Sequence, residues 1–258
     1  MLPKNSPGRA EPDCSRDRLP CGAVTLLQPR TGQRATTDSL LLAAVLPDDF
    51  AGLAVDLGCG TGAIAFRIAA RCPAARVTGI ERNAVARAAA QAALQLPENA
   101  AFAPRVTIAA GDITQRETLP LADAGAAAVL FNPPYFEEGR GRPSPDPVRE
   151  AARRLPPGGL PPWLNLASTL LAPGGLMAAI VPPARLPAFF AHALGATRLT
   201  AIHTRAGAPA HRVIVTQEKG RRSDTVIAPP LILHDDAGAP TEVATALAHA
   251  RISLSAHR

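Results

Sequence analysis

The sequence is poor in aromatic residues. They make up 3% of the 258 positions, with one tryptophan and one tyrosine. A core built from it must be aliphatic. It has only four cysteines (Cys14, Cys21, Cys59, Cys72) and no C-x-x-C spacing. That pattern excludes a disulfide frame and a cysteine zinc site, and points to free thiols in a reducing compartment. The six histidines are scattered, without a metal-ligand pair. No apolar run is long enough to span a membrane. The N-terminal stretch MLPKNSPGRAEPDCSRDR has charges but no apolar segment of the kind a secretory signal needs. No internal repeat is present. We therefore expect a cytoplasmic, metal-free monomer with no membrane partner.

What is present is enough to fold. Hydrophobic residues are 47% and charged residues 19% of the chain, a balance that excludes wholesale disorder. The length suits one α/β domain. Net charge is +6, which favours a polyanionic partner such as nucleic acid, though it also serves solubility.

Residues 1–20 are polar and without period, and are expected to form a disordered tail, leaving 21–258 as a single domain. From Thr37-Asp38 a short helix runs toward Pro47. Strand and helix then alternate. Strands are expected at 53–57, 76–80, 105–109, 126–131, 176–181, 199–203 and 212–216. Helices are expected at 61–72, 83–96, 161–171 and 184–194, with Pro173-Gly174-Gly175 stopping the third of them. One further strand and a closing helix complete the chain. This spacing predicts a mostly parallel sheet covered on both faces. One segment breaks the pattern: 136–162 has almost no apolar period, and seven prolines fall between Pro143 and Pro162. A long irregular loop inside a domain is usually functional or disordered.

Two motifs carry chemistry. The first is VDLGCGTG, from Val55 to Gly62. It follows a strand and opens a helix. Its spacing is G-x-G-x-G, and Gly58, Gly60 and Gly62 let the backbone approach a ligand closely. Asp56 at the strand end does not suit a pyrophosphate but does suit a cationic ligand, such as the sulfonium and ammonium of S-adenosyl-L-methionine. Glu81 ends the next strand, where an acid can accept two hydrogen bonds from a ribose diol. Asp112 follows the third strand, within reach of an adenine amino group. Each acid alone could merely end a strand or cap a helix. Three at consecutive strand ends beside the glycine loop point to a nucleoside site.

The second motif is Asn132-Pro133-Pro134-Tyr135, at the end of the fourth strand of the alternation. Open α/β sheets bind ligands outside the carboxyl ends of their strands, so this turn should share a crevice with the glycine loop. An adenine amine or an amide has a delocalised lone pair. Acceptor oxygens on both N–H bonds would hold it in the geometry of attack. The Asn132 side chain offers one and the Pro133 carbonyl the other. Proline stiffens the turn and keeps the preceding residue extended. Tyr135 could stack on a planar acceptor.

Together VDLGCGTG, Glu81, Asp112 and NPPY resemble class I S-adenosylmethionine-dependent N-methyltransferases. QPRTGQRATTDSLLLAA, the arginine- and proline-rich loop ending in SPDP, the strand RAGAPAHRVIV and Lys219-Gly220 are similar to the bacterial tRNA1(Val) adenine N6-methyltransferase family. The resemblance implies a Rossmann-like, seven-stranded sheet with its last strand antiparallel. It implies S-adenosyl-L-methionine held by the glycine loop, Glu81 and Asp112, with Asp38 bordering its methionine end and Asn132 close by. It also implies a target amine held by Asn132 and stacked by Tyr135. Arg30, Arg34, Arg140, Arg142 and Lys219 are candidates to hold phosphates of an RNA, for which tRNA is the first expectation. Alternatives are protein glutamine N5-methylation of the release-factor type, ribosomal RNA guanine N2-methylation, and a cofactor-binding RNA module without activity. Trp163 reads as a helix packing residue, and Cys59 as a small loop residue rather than a nucleophile.

Overall fold

A computed structural model describes residues 13–31, 34–135 and 158–254. It contains eleven strands and six helices among these residues. A two-stranded hairpin, β1 (Cys14–Arg18) and β2 (Thr25–Pro29), precedes helix α1 (Thr37–Ala43). Then follow β3 (Gly52–Leu57), α2 (Ala63–Arg71), β4 (Ala75–Glu81), α3 (Ala84–Ala93), β5 (Val106–Ala110) and β6 (Ala126–Phe131). Beyond the undescribed stretch come α4 (Pro161–Leu170), β7 (Leu171–Val181), α5 (Leu186–His192), β8 (Gly195–His203) and β9 (Ala210–Lys219). Two short strands, β10 (Val226–Ile227) and β11 (Leu231–Ile232), and α6 (Glu242–Ala248) end the chain.

The main sheet has the order β10-β8-β9-β7-β6-β3-β4-β5, with β11 also on β8. β5, β4, β3, β6 and β7 run parallel, and β9 is antiparallel to both β7 and β8. Strands β3 to β9 are the expected seven, with β9 as the expected antiparallel last strand. β10 and β11 are additions at the β8 edge, where the sequence reading placed one strand.

Alternation along the strands divides the core. Ala54, Ala128 and Leu130 face a layer built from α1, α2 and the hairpin. Val55, Leu57, Val129 and Phe131 face α4 and α5. Strands buried on both faces must be apolar at nearly every position, and β3 and β6 are. Asn83 caps α3 by accepting the Val85 and Ala86 N–H groups, the cap its position predicts. α4 opens on Pro161-Pro162, which cost nothing at helix positions whose N–H groups lack partners anyway.

Three readings need correction. Cys14–Arg18 is not part of a disordered tail; it pairs antiparallel with Thr25–Pro29. The polar residues hid this strand because only one of its edges is covered. The hairpin is tied to the rest by buried Asn99, whose amide accepts from Thr25 N and donates to the Thr25 and Ala93 carbonyls. Pro173-Gly174-Gly175 does not terminate a helix. α4 stops at Leu170, and the triplet forms an irregularity within β7, where the register on β6 shifts between Ala126 and Ala128. The closing segment holds two strands rather than one. Of the loop expected over 136–162, residues 136–157 lie outside the described residues.

The chain reverses direction of winding at β3. From β3 it proceeds outward through β4 to β5, and then returns to β6 on the other side of β3. The carboxyl ends of β3 and β6 therefore flank the switch point of the sheet, where open α/β folds form their crevice. The glycine loop and the NPPY turn leave from those two strand ends.

Candidate functional site

A cavity of about 210 Å³ lies at this switch point. Gly58, Gly60, Glu81, Asn132 and Pro134 all line it, so the structure brings the two motifs together. The loop follows β3 with three positive φ angles. Gly60, at φ +56°, has nothing within 4 Å of the position a Cβ would take, because that side of it is the cavity. Gly62, at φ +88°, packs so closely that a Cβ would sit 2.7 Å from the Phe66 ring. The first glycine makes room for a ligand and the second lets α2 approach the loop.

Glu81 is buried and fixes the loop. Its Oε2 accepts from Gly60 N at 2.8 Å and its Oε1 from Asn83 N at 2.7 Å. Each oxygen keeps a further lone pair, so the carboxylate can still accept from two hydroxyls of a diol.

Asp56 does something other than the sequence reading expects. It does not line the cavity. It is fully buried beneath the loop, where its Oδ2 accepts from Ala65 N at 3.1 Å. Ala65 lies in the first turn of α2, whose N-cap is Gly62 and has no side chain to offer. Asp56 thus caps the helix from the neighbouring strand. Burial pushes its carboxyl well above the ordinary range, against the Ala65 hydrogen bond and helped by the Glu81 charge. Its Oδ1 has no partner among the described residues.

Asp112 also stands back from the wall, which Gly111 and Ile113 form instead. Its Oδ1 accepts from the Thr114 N–H at 2.9 Å and the Thr114 hydroxyl at 2.8 Å, and Oδ2 lies 3.7 Å from the Arg82 guanidinium. Burial works against its charge, but the Thr114 bonds and Arg82 hold its carboxyl below the ordinary value.

The NPPY turn is braced by residues from distant elements. The Tyr135 hydroxyl lies 2.8 Å from Asp38 Oδ2 and 2.6 Å from Asn132 Oδ1. Arg212, on β9, bonds Asp38 Oδ2 at 3.0 Å and places its guanidinium carbon 4.1 Å from the Tyr135 ring centroid. Arg185 donates to the Tyr135 carbonyl at 3.2 Å. Asp38 therefore sits behind the turn rather than in the cavity wall. One face of Tyr135 is covered by Arg212, and of the NPPY turn Asn132 and Pro134 line the cavity while Pro133 and Tyr135 do not. Burial first, then the Asp38 charge, push the Tyr135 hydroxyl far above its usual range, so it stays protonated at neutral pH. Pro133 is buried.

The cationic candidates fare unequally. Arg34 lines the cavity and pairs with Asp17 of the hairpin. Arg30 is exposed and bonds Asp13 at 2.9 Å, which raises its pKa. Arg140 and Arg142 lie outside the described residues. Lys219 is a correction: its ammonium donates to the Ser168 and Leu171 carbonyls, both at 2.7 Å. It neutralises the carboxyl end of α4, a structural task that uses up two of its three donors.

The sequence reading missed the hairpin's contribution. Pro29 and Thr31 line the cavity, along with Ser39 from α1. Trp163 is buried against Phe131, with ring centroids 5.8 Å apart, as a packing residue should be, yet it also forms part of the wall. Burial raises the Cys59 thiol well above its ordinary value, which keeps it unreactive. Among the described residues no group of histidine, cysteine or acidic side chains could hold a metal, and no helix is long and apolar enough to cross a membrane.

Comparison with known proteins agrees with this geometry. The model of the methyltransferase small domain matches residues 33–162. The chain is 35% identical over 201 residues to the tRNA1(Val) (adenine(37)-N6)-methyltransferase of Aeromonas hydrophila, covering 74% of this chain and 79% of that one. It is 38% identical to the release factor glutamine methyltransferase of Mycolicibacterium smegmatis, but over only 109 residues, 41% of this chain and 36% of that one. Among solved structures, a predicted O-methyltransferase from Agrobacterium tumefaciens superposes with a TM-score of 0.70 at 31% identity, over 84% of this chain and 97% of that one. The chain therefore belongs to the methyltransferase small-domain family and, within it, to the family of the tRNA1(Val) (adenine(37)-N6)-methyltransferases.

Proposed function

We propose that the protein transfers a methyl group from S-adenosyl-L-methionine to the exocyclic N6 amine of an adenine in tRNA, acting in the cytoplasm as a monomer. The observation that carries this reading is the Asn132 carboxamide at the cavity wall, in a proline-stiffened turn. S-adenosylmethionine supplies there, when bound, a sulfonium methyl open to attack by a nitrogen lone pair. Glu81 would accept from the ribose hydroxyls, and the open side of Gly60 would leave room for the ligand. Asp112, behind Gly111 and Ile113, would bias the adenine end electrostatically.

The choice of acceptor follows from what the site lacks. A hydroxyl must lose its proton as it attacks and so needs a base. Glu81 is the one carboxylate among the described cavity residues and is bound to two backbone N–H groups. Tyr135 is protonated, and the described cavity residues include no imidazole. An amine can shed its proton to water after the methyl arrives, so acceptors alone suffice. The Asn132 oxygen and the Pro133 carbonyl would take its two N–H bonds, and Tyr135 would stack on the base. Preorganised groups of this kind are each worth roughly 3 kcal/mol of barrier. In folded RNA the base must be splayed out to reach them. Arg34 at the cavity, with Arg140 and Arg142, would meet the flanking phosphates.

A glutamine amide presents the same two N–H bonds, and the release-factor relative supports that second reading. Its match covers less than half of this chain, whereas the adenine relatives match across most of it. Incubation with isotope-labelled S-adenosylmethionine and an extract holding both RNA and protein decides between them. Label in the tRNA fraction supports the adenine reading. Label confined to a protein band sinks it.

A further inference from the structure

We propose that Arg212 and Asp38 are a positioning pair that orients Tyr135 and, through its hydroxyl, anchors the Asn132 carboxamide oxygen in place for the target amine. The inference rests on the methyl-transfer reading above and assigns it residues that neither bind cofactor nor touch the acceptor.

The Tyr135 hydroxyl lies within hydrogen-bond distance of two oxygens, Asp38 Oδ2 at 2.8 Å and Asn132 Oδ1 at 2.6 Å. Both are acceptors, and the hydroxyl has one hydrogen. Asp38 Oδ2 already accepts from Arg212 Nε at 3.0 Å, so the hydroxyl can give its proton to Asn132 Oδ1. That bond fixes the last torsion of Asn132, which is otherwise broad and roughly two-fold. Oδ1 keeps a second lone pair for the target amine. Without Tyr135 the amide would offer the acceptor its NH₂ as readily as its oxygen.

Arg212 keeps Asp38 in this role. Its Nε bonds the same Oδ2 at 3.0 Å, and its guanidinium lies flat enough on the ring to sit 4.1 Å from the centroid. Asp38 is on α1, Tyr135 follows β6 and Arg212 is on β9, so three separate elements meet at one hydroxyl. Among the described residues, the charged and titratable groups around it are Asp38, Arg212, the neighbouring His211, and Arg185, which holds the Tyr135 carbonyl. Asp38 lies outside the cavity wall, so the arrangement is distinct from a contact with the cofactor.

Tyr135 is the only tyrosine in the chain, which provides a readout independent of activity. Absorbance near the phenolate band reports its ionisation alone, while fluorescence of the single tryptophan, Trp163, checks that the fold persists. In the wild type the hydroxyl stays protonated well past the pH at which a free tyrosine ionises. Asp38→Asn leaves the Arg212 charge unopposed, so ionisation begins at lower pH than in the wild type. The same variant loses at least about tenfold in kcat, while its Kd for S-adenosylhomocysteine and its KM for the acceptor stay within about twofold. Arg212→Lys retains more of kcat than Arg212→Ala. Three results overturn the proposal: an unchanged tyrosine titration in Asp38→Asn, an unchanged kcat, or a lost cofactor affinity that accounts for the whole defect. The titration also separates this inference from the acceptor assignment. A shifted titration with no label in RNA leaves the pair standing and refutes only the acceptor. An unshifted titration refutes the pair even where tRNA is methylated.

Discussion

Replacing Glu81 by glutamine changes one atom and tests the cofactor half of the site. The carboxylate holds two loop N–H groups, Gly60 N at 2.8 Å and Asn83 N at 2.7 Å. Glutamine has a single oxygen, so one of these N–H groups must face an NH₂ instead. One charge-assisted bond, worth about 1.5–3 kcal/mol, is lost, and the other falls to the neutral value of about 1 kcal/mol. Part of this appears as stability. A loss of about 2 kcal/mol lowers the melting temperature by roughly 4–8 °C in a domain of this size. The rest appears in binding, because one acceptor for the ribose diol disappears as well. Loss of a bond of about 1.5–3 kcal/mol weakens binding by roughly 10- to 100-fold. Calorimetric titration with S-adenosylhomocysteine measures it. An analogue lacking both ribose hydroxyls provides the control and should bind the two proteins alike. A variant Kd within twofold of wild type for the intact nucleoside would refute the assignment of Glu81 to the ribose.

Other substitutions separate ligand contacts from scaffold. Gly60→Ala should fold, at a cost of about 1–2 kcal/mol for its left-handed backbone, but bind S-adenosylhomocysteine poorly because its methyl enters the cavity. Gly62→Ala should instead fail in thermal stability, since its methyl meets the Phe66 ring at 2.7 Å. Asn99→Ala strips three partners from buried backbone groups; chemical denaturation should show a loss of about 2–4 kcal/mol, with weaker cofactor binding because the hairpin supplies Pro29 and Thr31. Asp56 has a raised carboxyl in the fold, so the folded protein retains a proton that the unfolded chain releases. Stability should then fall as pH rises from about 4 toward the raised value, and Asp56→Asn should flatten that slope in denaturation curves taken across the range.

Much of the core was legible because its strands announce themselves. β3 and β6 are short apolar runs ending in residues that apolar patterning cannot explain, a glycine cluster and Asn132-Pro133. The capping role of Asn83 was equally plain. What stayed hidden depends on tertiary partners. β1 is polar because it pairs at the edge of a two-stranded hairpin, so no alternation marks it. Asp56 sits where a ligand-facing acid would, and only the absence of a side chain at Gly62 explains why it caps α2 instead. Lys219 belongs to a basic cluster in sequence, yet its partners are carbonyls 51 and 48 positions away. Arg212 stood in a strand already singled out, RAGAPAHRVIV, but nothing in the strand names Asp38, 174 residues earlier. One signal was available: a lone tyrosine three residues after an asparagine needs a hydrogen-bond partner, but the resemblance placed Asp38 beside the cofactor instead.

The central claim is the identity of the methylated atom. Purified protein, isotope-labelled S-adenosylmethionine and tRNA from cells lacking this gene would be incubated, the RNA digested, and the labelled nucleoside identified by mass spectrometry beside an Asn132→Ala control. The account predicts labelled N6-methyladenosine from the wild type, and a loss of roughly 10²–10³-fold in rate with the variant. Label on guanosine, label in protein alone, or equal N6-methyladenosine from the Asn132→Ala variant would contradict it.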